Sequence, residues 1–180
     1  MSPVATAQDP SMLAEPRPCG ECGLCCKVLK LEALGKPDGV MCVHFARGKG
    51  CTIHPTRPQD CRTYFCIWTM AARLDERWRP DRAGFVIAPG VADEIVLHVD
   101  PDRPDAWRRE PYHSEIRRLA TVTPQGFKMI IVRCRGEVTA VFQSGEIPLG
   151  RDQPEMAIEA GYERTVEGLK PFARFAPKRG

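Results

Sequence analysis

The chain has 180 residues, of which 43% are apolar and 27% charged, and it carries a net charge of +3. This composition is typical of a folded domain and excludes a disordered or fibrous chain. The N-terminal residues lack a basic segment followed by an apolar run, and no apolar run approaches the roughly 18 residues that a membrane span needs. We therefore expect a cytoplasmic protein without a membrane segment.

The small positive charge is carried by the first part of the chain. Residues 1–80 contain 11 basic residues (Lys and Arg) and eight acidic residues (Asp and Glu). Residues 81–180 contain 15 basic and 15 acidic residues. A nucleic-acid-binding surface usually concentrates basic residues much more strongly. We expect no nucleic-acid partner, and we interpret the basic residues near the cysteines as partial compensation of thiolate charge.

The N-terminal part divides into a tail and a cysteine-rich region. Residues 1–17 are rich in Pro, Ser and Ala without hydrophobic periodicity, which predicts a flexible tail. Residues 18–66 contain 14 apolar residues other than Cys, beside six Gly and four Pro. So few apolar side chains do not form a self-sufficient core, and segments of this kind usually depend on disulfides or bound metal.

Helix and strand patterns begin after residue 66. The segment IWTMAARLDERW has apolar residues at helical spacing, so it predicts a helix that ends before Pro80 and closes the cysteine region at about residue 78. GFVIAPG and EIVLHVD predict two paired strands. PYHSEIRRLATV predicts an amphipathic helix with Pro111 in its first turn.

The last third of the chain predicts a hairpin and a closing helix. FKMIIVRC and EVTAVFQSG form the hairpin around Arg135 and Gly136. DQPEMAIEAGYERTVEGL predicts a helix with Asp152 as N-cap, followed by a tail at residues 171–180. We thus expect an α+β fold. A small irregular cysteine region (18–78), held together by metal, is followed by an α+β region (79–170) of short antiparallel strands with two or three helices packed on it.

Eight of the nine cysteines lie between residues 19 and 66, with the spacing C-x2-C-x2-C-C-x15-C-x8-C-x9-C-x4-C. In a reducing compartment, such a dense pattern favours metal ligation over disulfides. In an oxidising compartment the same eight cysteines could pair in about 105 ways. A C-x2-C turn aims two thiolates at one ion, and Gly20 and Gly23 permit close approach of the backbone. A bacterial ferredoxin is not expected, because the x3-C-P that should follow is absent.

Two pairs of cysteines constrain how the ligands are shared. The side chains of Cys25 and Cys26 cannot easily point the same way in a regular backbone, so they serve two centres or one of them is a spectator. In a continuous helix, Cys61 and Cys66 would lie roughly 140° apart around the axis. They therefore belong to different sites or are separated by a chain break. We favour a break, with Pro58 starting a turn at residues 59–62 and a long helix beginning near Cys66.

The segments CGECGLCC, MCVHF and GCTIHPTRPQDCRTYFC resemble the CxxCxxCC family of zinc- or iron-chelating domains, also called YkgJ-like cysteine cluster proteins. The resemblance covers residues 19–66, about a quarter of the chain, and includes the Arg57–Pro58 pair. It implies chelation of zinc or iron, or of an iron–sulfur cluster, by Cys19, Cys22, Cys25, Cys26, Cys42, Cys51, Cys61 and Cys66. His54 stands where the family carries Tyr, so His54 is either a tolerated aromatic replacement or an extra ligand.

The resemblance leaves two classes of function open. The first is a non-enzymatic metal-binding protein that chelates or delivers metal or binds a protein partner. The second is an iron–sulfur redox or radical enzyme, because larger relatives of the family include bacterial lysine methylases that act on flagellin. That activity itself does not carry over, since this chain is short and has no GxGxxG loop. A zinc-ribbon-like nucleic-acid module is a weaker third alternative.

The remaining candidate residues have simpler expected roles. His44 and His54 could each complete a site of three thiolates and one imidazole, or remain hydrogen-bonded or exposed. We expect Cys134 to be a core residue, and His98 and His113 to be structural. The aromatic residues Tyr64, Phe65 and Trp68 are expected to pack over the cysteines. Arg57 and Arg62 either bond thiolates or backbone, or remain solvated. The sequence offers no evident catalytic base.

Overall fold

The structure is a computed structural model that describes residues 17–91, 94–123, 126–127 and 129–178. Its fold is α+β, as the sequence predicts. The expected N-terminal tail, at residues 1–16, lies outside the described residues. Arg17, which was also assigned to that tail, is instead anchored to the cysteine region through its backbone and side chain. No helix within the described ranges is long and apolar enough to cross a membrane.

The helices are short. The α-helices are α1 (Leu24–Val28), α2 (Gln59–Thr63), α3 (Ile67–Met70), α4 (Pro80–Ala83) and α5 (Tyr112–Leu119), and 3-10 turns occupy Glu32–Leu34, His54–Thr56, Glu76–Trp78 and Ala106–Arg108. The strands are β1 (Phe45–Ala46), β2 (Gly50–Cys51), β3 (Phe85–Pro89), β4 (Ile95–Val99), β5 (Val122–Thr123), β6 (Gly126–Phe127), β7 (Ile130–Cys134), β8 (Glu137–Phe142), β9 (Gly145–Arg151), β10 (Met156–Thr165) and β11 (Gly168–Pro177).

A five-stranded sheet with the order β3-β4-β7-β8-β9 organises the second region. Both predicted strand pairs are confirmed: β3 pairs with β4, and β7 pairs with β8. Arg135 and Gly136 turn the second hairpin with φ angles of 54° and 72°, which is the conformation of a tight two-residue turn. The expected antiparallel pairing holds for three of the four neighbouring strand pairs of this sheet, whereas β4 and β7 are parallel. Their connection contains α5, as a parallel pair requires a long crossover.

The sheet is apolar on both faces. In β7, Ile130 and Val132 pack on one face and Ile131 on the other, following the two-residue period of a strand. The first face carries the largest core, which includes Trp107 of the turn Ala106–Arg108 and Ile116 of α5. On the second face, the hairpin of β10 and β11 covers the β7–β8 strands.

The cysteine region is attached to the edge strand β3. Val86 of β3 points to the second face, where it packs against Leu24 and Val28 of α1. Leu24 and Val28 are four residues apart, so one side of this short helix is buried while the cysteines between them point elsewhere. The sheet therefore supplies the hydrophobic partner that the cysteine region lacks.

The long helix predicted from Ile67 to Trp78 is wrong. The helix ends at Met70, and Ala71 has an extended backbone with φ −92° and ψ 97°. Two contacts favour the early end. The Arg17 guanidinium donates to the carbonyl oxygens of Ala71 and Leu74 at 2.7 Å each, taking acceptors that a helix would use. Asp75 then begins a new turn by accepting from the Arg77 N–H at 2.8 Å.

The predicted closing helix and C-terminal tail are also wrong, because Met156–Thr165 and Gly168–Pro177 form an antiparallel hairpin. Ile158, Ala160 and Tyr162 alternate toward the second-face core, where the partner strand adds Phe175. This packing outweighs the helix propensity of the Ala and Glu residues. Asp152 is not a helix N-cap and instead pairs with Arg133 of β7. Residues 179–180 lie outside the described residues.

Candidate metal centre

One cavity of about 640 Å³ is lined by all eight clustered cysteines, Cys19, Cys22, Cys25, Cys26, Cys42, Cys51, Cys61 and Cys66. The described lining also contains three basic residues, Arg17, Lys49 and Arg57, and no carboxylate. Cys134 lies elsewhere, at the end of β7, where it packs against the first-face core as expected. All nine cysteines are free thiols.

Four of the cysteines form what we call the first group: Cys19, Cys22, Cys25 and Cys66. They line a second, narrow cavity whose other walls include Trp68 and Val86. A turn brings two of them together, since the Cys22 N–H donates to the Cys19 carbonyl at 3.0 Å. The first group therefore joins the C-x2-C-x2-C segment to a cysteine more than forty residues later in the chain.

Burial and backbone amides act in opposite directions on the pKa of two thiols of the first group, Cys22 and Cys66. Burial raises the pKa of Cys22, and it raises the pKa of Cys66 to about 11. The backbone amides of Leu24 and Asp81 oppose the shift at Cys22, and those of Trp68 and Thr69 oppose it at Cys66. These amides favour negative charge on the two sulfurs, so they would stabilise bound thiolates.

Tyr64 lies beside the first group with an unsatisfied hydroxyl. The hydroxyl is buried and has no hydrogen-bond partner among the described residues. Its ring packs in the apolar cluster of Leu24, Val28 and Val86. Burial raises the pKa of Tyr64, and the nearby thiol of Cys66 raises it further. A buried hydroxyl without a partner is costly, and a neighbouring thiolate would be a suitable acceptor.

The other four cysteines form the second group: Cys26, Cys42, Cys51 and Cys61. The Cys42 N–H donates to the Cys26 carbonyl at 3.0 Å. Cys51 in β2 is paired with Phe45 of β1, whose own N–H donates to the Cys42 carbonyl at 3.0 Å. Burial raises the pKa of Cys61, and the thiols of Cys26, Cys42 and Cys51 add to this effect. Cys61 thus lies within electrostatic range of the other three thiols of the second group.

The structure combines the two alternatives that the sequence left for Cys61 and Cys66. The turn at Pro58 is confirmed, because α2 begins directly after it, and residues 64–66 are not helical. The break separates α2 from α3, and the two cysteines also belong to different groups. The long helix expected after Cys66 is only four residues long.

The thiols surround the cavity without having converged on a point. In the part of the chain that the structure describes, no three His, Cys, Asp or Glu side chains are already arranged as a metal-ion site. His44 and His54 both line the cavity, and the Arg57 guanidinium contacts the His54 ring. Arg62 donates to the Arg57 carbonyl at 2.8 Å, so it bonds backbone and not a thiol. The aromatic residues Tyr64 and Phe65 line the same cavity, as expected.

Arg17 is a residue that sequence reasoning missed. Its guanidinium lies 4.2 Å from the centre of the Trp68 ring and also donates to the Trp68 carbonyl. Its backbone N–H donates to the Thr69 carbonyl at 2.8 Å. These contacts fix the chain just before Cys19 against the helix that follows Cys66. No sequence signal indicated this, because Arg17 adjoins a segment without periodicity.

The donor chemistry of both groups fits a thiophilic metal. Four thiolates are the donor set of structural zinc sites and of iron–sulfur clusters. The amides beside Cys22 and Cys66 and the unpartnered Tyr64 hydroxyl also suit negatively charged sulfur. Comparison of the chain with protein-family models, with curated proteins and with solved structures found no match.

Proposed function

We infer that this protein is a cytoplasmic metal-binding protein that holds zinc or iron in two centres of four cysteine thiolates each. The observation that carries this inference is the single cavity lined by all eight clustered cysteines and, among its described lining residues, by no carboxylate. The first group would bind one centre and the second group the other. The resemblance of the cysteine spacing to the CxxCxxCC, or YkgJ-like, family supports the same assignment.

Metal would stabilise a region that has little core of its own. Structural zinc contributes an apparent 10–16 kcal/mol in small finger peptides, which is comparable to the stability of a whole domain. Because the sulfurs are spread around the cavity, binding would draw the two groups inward and close it. The role that follows is chelation or delivery of metal, or presentation of a metal-stabilised surface to a protein partner.

A second candidate function is an iron–sulfur redox or radical enzyme. It is favoured by the surroundings of the first group, where backbone amides face Cys22 and Cys66 and the indole of Trp68 forms part of the wall. Amide groups near cluster sulfurs and an apolar shell are the features by which proteins set cluster potentials. In this alternative the first group would hold the cluster and the second group a structural metal.

Elemental analysis and an optical spectrum of the protein purified without oxygen test both candidates. About two zinc ions per chain without visible absorption would support two closed thiolate centres. Iron with acid-labile sulfide and a brown colour would favour the enzyme. Protein that contains no metal, and binds none when the reduced chain is titrated with zinc or ferrous iron, would contradict both proposals.

A further inference from the structure

A buried lysine lies beside the second group. Lys36 is 7% exposed, although lysine is almost never fully buried without a partner. It follows a left-handed turn at Gly35, with φ 58°, and its backbone bridges to Leu31 through bonds of 2.9 and 3.0 Å. Lys36 belongs to the loop between Cys26 and Cys42, and the turn directs its side chain toward both ends of that loop.

Backbone carbonyls satisfy the hydrogen-bonding capacity of the Lys36 ammonium group. It donates to the carbonyl oxygens of Lys27 at 3.1 Å, Pro37 at 2.8 Å and Val40 at 2.8 Å. An ammonium group has three donors, so these bonds use all of them. Lys27 directly follows Cys26, and Val40 is two residues before Cys42. The bonds therefore hold together the chain segments that carry two ligands of the second group.

Neutral carbonyls stabilise a buried ammonium group but supply no opposite charge to neutralise it. Removing a charge from water costs several kcal/mol unless an opposite charge lies nearby. Burial lowers the pKa of Lys36, while Cys42, Cys26, the carboxylate of Asp38 and Cys25 oppose that shift. The ammonium bonds the carbonyl of the residue after Cys26 and the carbonyl two residues before Cys42, so Lys36 is joined directly to the segments that carry these two sulfurs.

We propose that Lys36 is the counter-ion of the metal centre formed by Cys26, Cys42, Cys51 and Cys61. This inference rests on the proposed function. Four thiolates around one divalent ion carry a net charge of about −2, so the Lys36 ammonium is stabilised when the centre forms. Lys36 acts on the metal through charge and is a positioning residue, not a ligand.

Cobalt titration of Lys36 variants distinguishes the effect of the Lys36 charge on metal affinity from the effect of its hydrogen bonds. Co²⁺ is titrated into the full reduced chain against a competing chelator, and its thiolate absorption band reports binding. Lys36→Gln removes the charge but keeps a donor, whereas Lys36→Arg keeps the charge. Lys30→Met is the matched control, because Lys30 is exposed and pairs with Glu32 in the same loop, at 2.9 Å.

We expect Lys36→Gln to weaken one of the two cobalt equivalents by about tenfold or more, as for loss of one unit charge at an effective dielectric constant near 20. The other equivalent and the final band intensity should be unchanged. Lys36→Arg keeps the positive charge and should therefore stay within about threefold of the wild-type affinity. Lys30→Met should bind both cobalt equivalents with the wild-type affinity. Equal affinities in wild type and Lys36→Gln would overturn the inference. So would equal weakening by Gln and Arg, since that result indicates a structural role. A wild-type chain that binds no cobalt would instead overturn the proposed function.

Discussion

Cys25 and Cys26 are adjacent in α1, yet they face different groups of thiols. Cys25 lines the narrow cavity with Cys19, Cys22 and Cys66, whereas Cys26 lies beside Cys42 and within range of Cys61. Neighbouring side chains of a helix point about 100° apart, so this five-residue helix separates them. The two thiols still interact, because Cys25 lowers the pKa of Cys26 to about 7. The helix α1 thus carries one ligand of each proposed centre.

If the two groups bind metal independently, each single cysteine variant should lose the metal of one group and keep that of the other. Cys25→Ser is expected to lose the metal of the first group, and Cys26→Ser that of the second, because a centre with three thiolates binds zinc more weakly. Each variant should retain about one zinc per chain where the wild type retains about two. Zinc is measured after equilibration with a chelator that leaves the wild type loaded.

The matched control for these variants is Cys134→Ser. Cys134 belongs to the core of the sheet, so its replacement should leave two zinc ions in place. Loss of both ions from either cysteine variant would show that the centres form cooperatively or share ligands, and the division into two groups would then be wrong. Metal loss from Cys134→Ser equal to that from Cys25→Ser would contradict the assignment of the ligands.

Arg17 should stabilise the first group by fixing the chain before Cys19 against the helix that follows Cys66. Arg17→Ala removes the guanidinium bonds to the carbonyls of Ala71 and Leu74 and the stacking on Trp68. We expect a loss of about 1–3 kcal/mol in the free energy of unfolding, because carbonyls at the end of α3 lose a charged donor. Urea denaturation measures this loss, and release of metal to a chelator should become faster for one of the two ions.

The control for Arg17 is Arg73→Ala, which changes an exposed arginine in the turn after α3. Its stability and metal release should equal those of the wild type. If Arg17→Ala were as stable as Arg73→Ala, the contacts of Arg17 would not matter for the fold, and its link between Cys19 and Cys66 would have to be abandoned.

The sequence predicted elements whose signals are local. The β7–β8 hairpin follows from alternating apolar residues and the turn at Arg135 and Gly136, and the structure confirms it. The closing helix was wrong because its alternation at Ile158, Ala160 and Tyr162 was weaker than the helix propensity of its Ala and Glu residues. Packing on the second face of the sheet decides that segment, and a single sequence does not reveal which face will be covered.

The candidate site shows the same limit. The spacing identified which cysteines gather, and all eight line the cavity. Their division into groups depends on the rotation of α1 and on contacts between residues 19–25 and Cys66, which are set by packing on Val86. Lys36 was not predicted for a related reason, since its burial follows from the turn at Gly35 and from carbonyls that fold over it.

Gly23 should be intolerant of a side chain. A Cβ atom at this position would collide with the ring of Phe45, which packs over the C-x2-C-x2-C segment. Gly23→Ala must therefore push Phe45 away or distort the chain between Cys22 and Cys25. We expect a loss of about 1–3 kcal/mol, the usual cost of overpacking, measured by urea denaturation. The double variant Gly23→Ala/Phe45→Leu should recover part of that loss, and no recovery would place the strain elsewhere than at this contact.

His98 should make the stability of the sheet depend on pH. It is half-buried on the second face of β4, and burial together with Arg133 lowers the pKa of His98 to about 4, while Asp152 and Asp38 partly oppose the shift. The native state therefore keeps His98 neutral between about pH 6.5 and 4, whereas the unfolded chain takes up a proton there. Stability that is present above about pH 6.5 is lost progressively as the pH falls toward 4.

The depressed pKa of His98 corresponds to a loss of about 2 kcal/mol in the free energy of unfolding between pH 7.5 and 5. Urea denaturation of wild type and His98→Gln at both pH values measures it, and the quantity of interest is the difference between their two losses. Acid release of metal from the cysteines affects both proteins alike, so it cancels in that difference. We expect His98→Gln to lose less stability than the wild type by about this amount. An identical loss in both proteins would mean that His98 is protonated in the folded state, and burial at β4 would not control its charge.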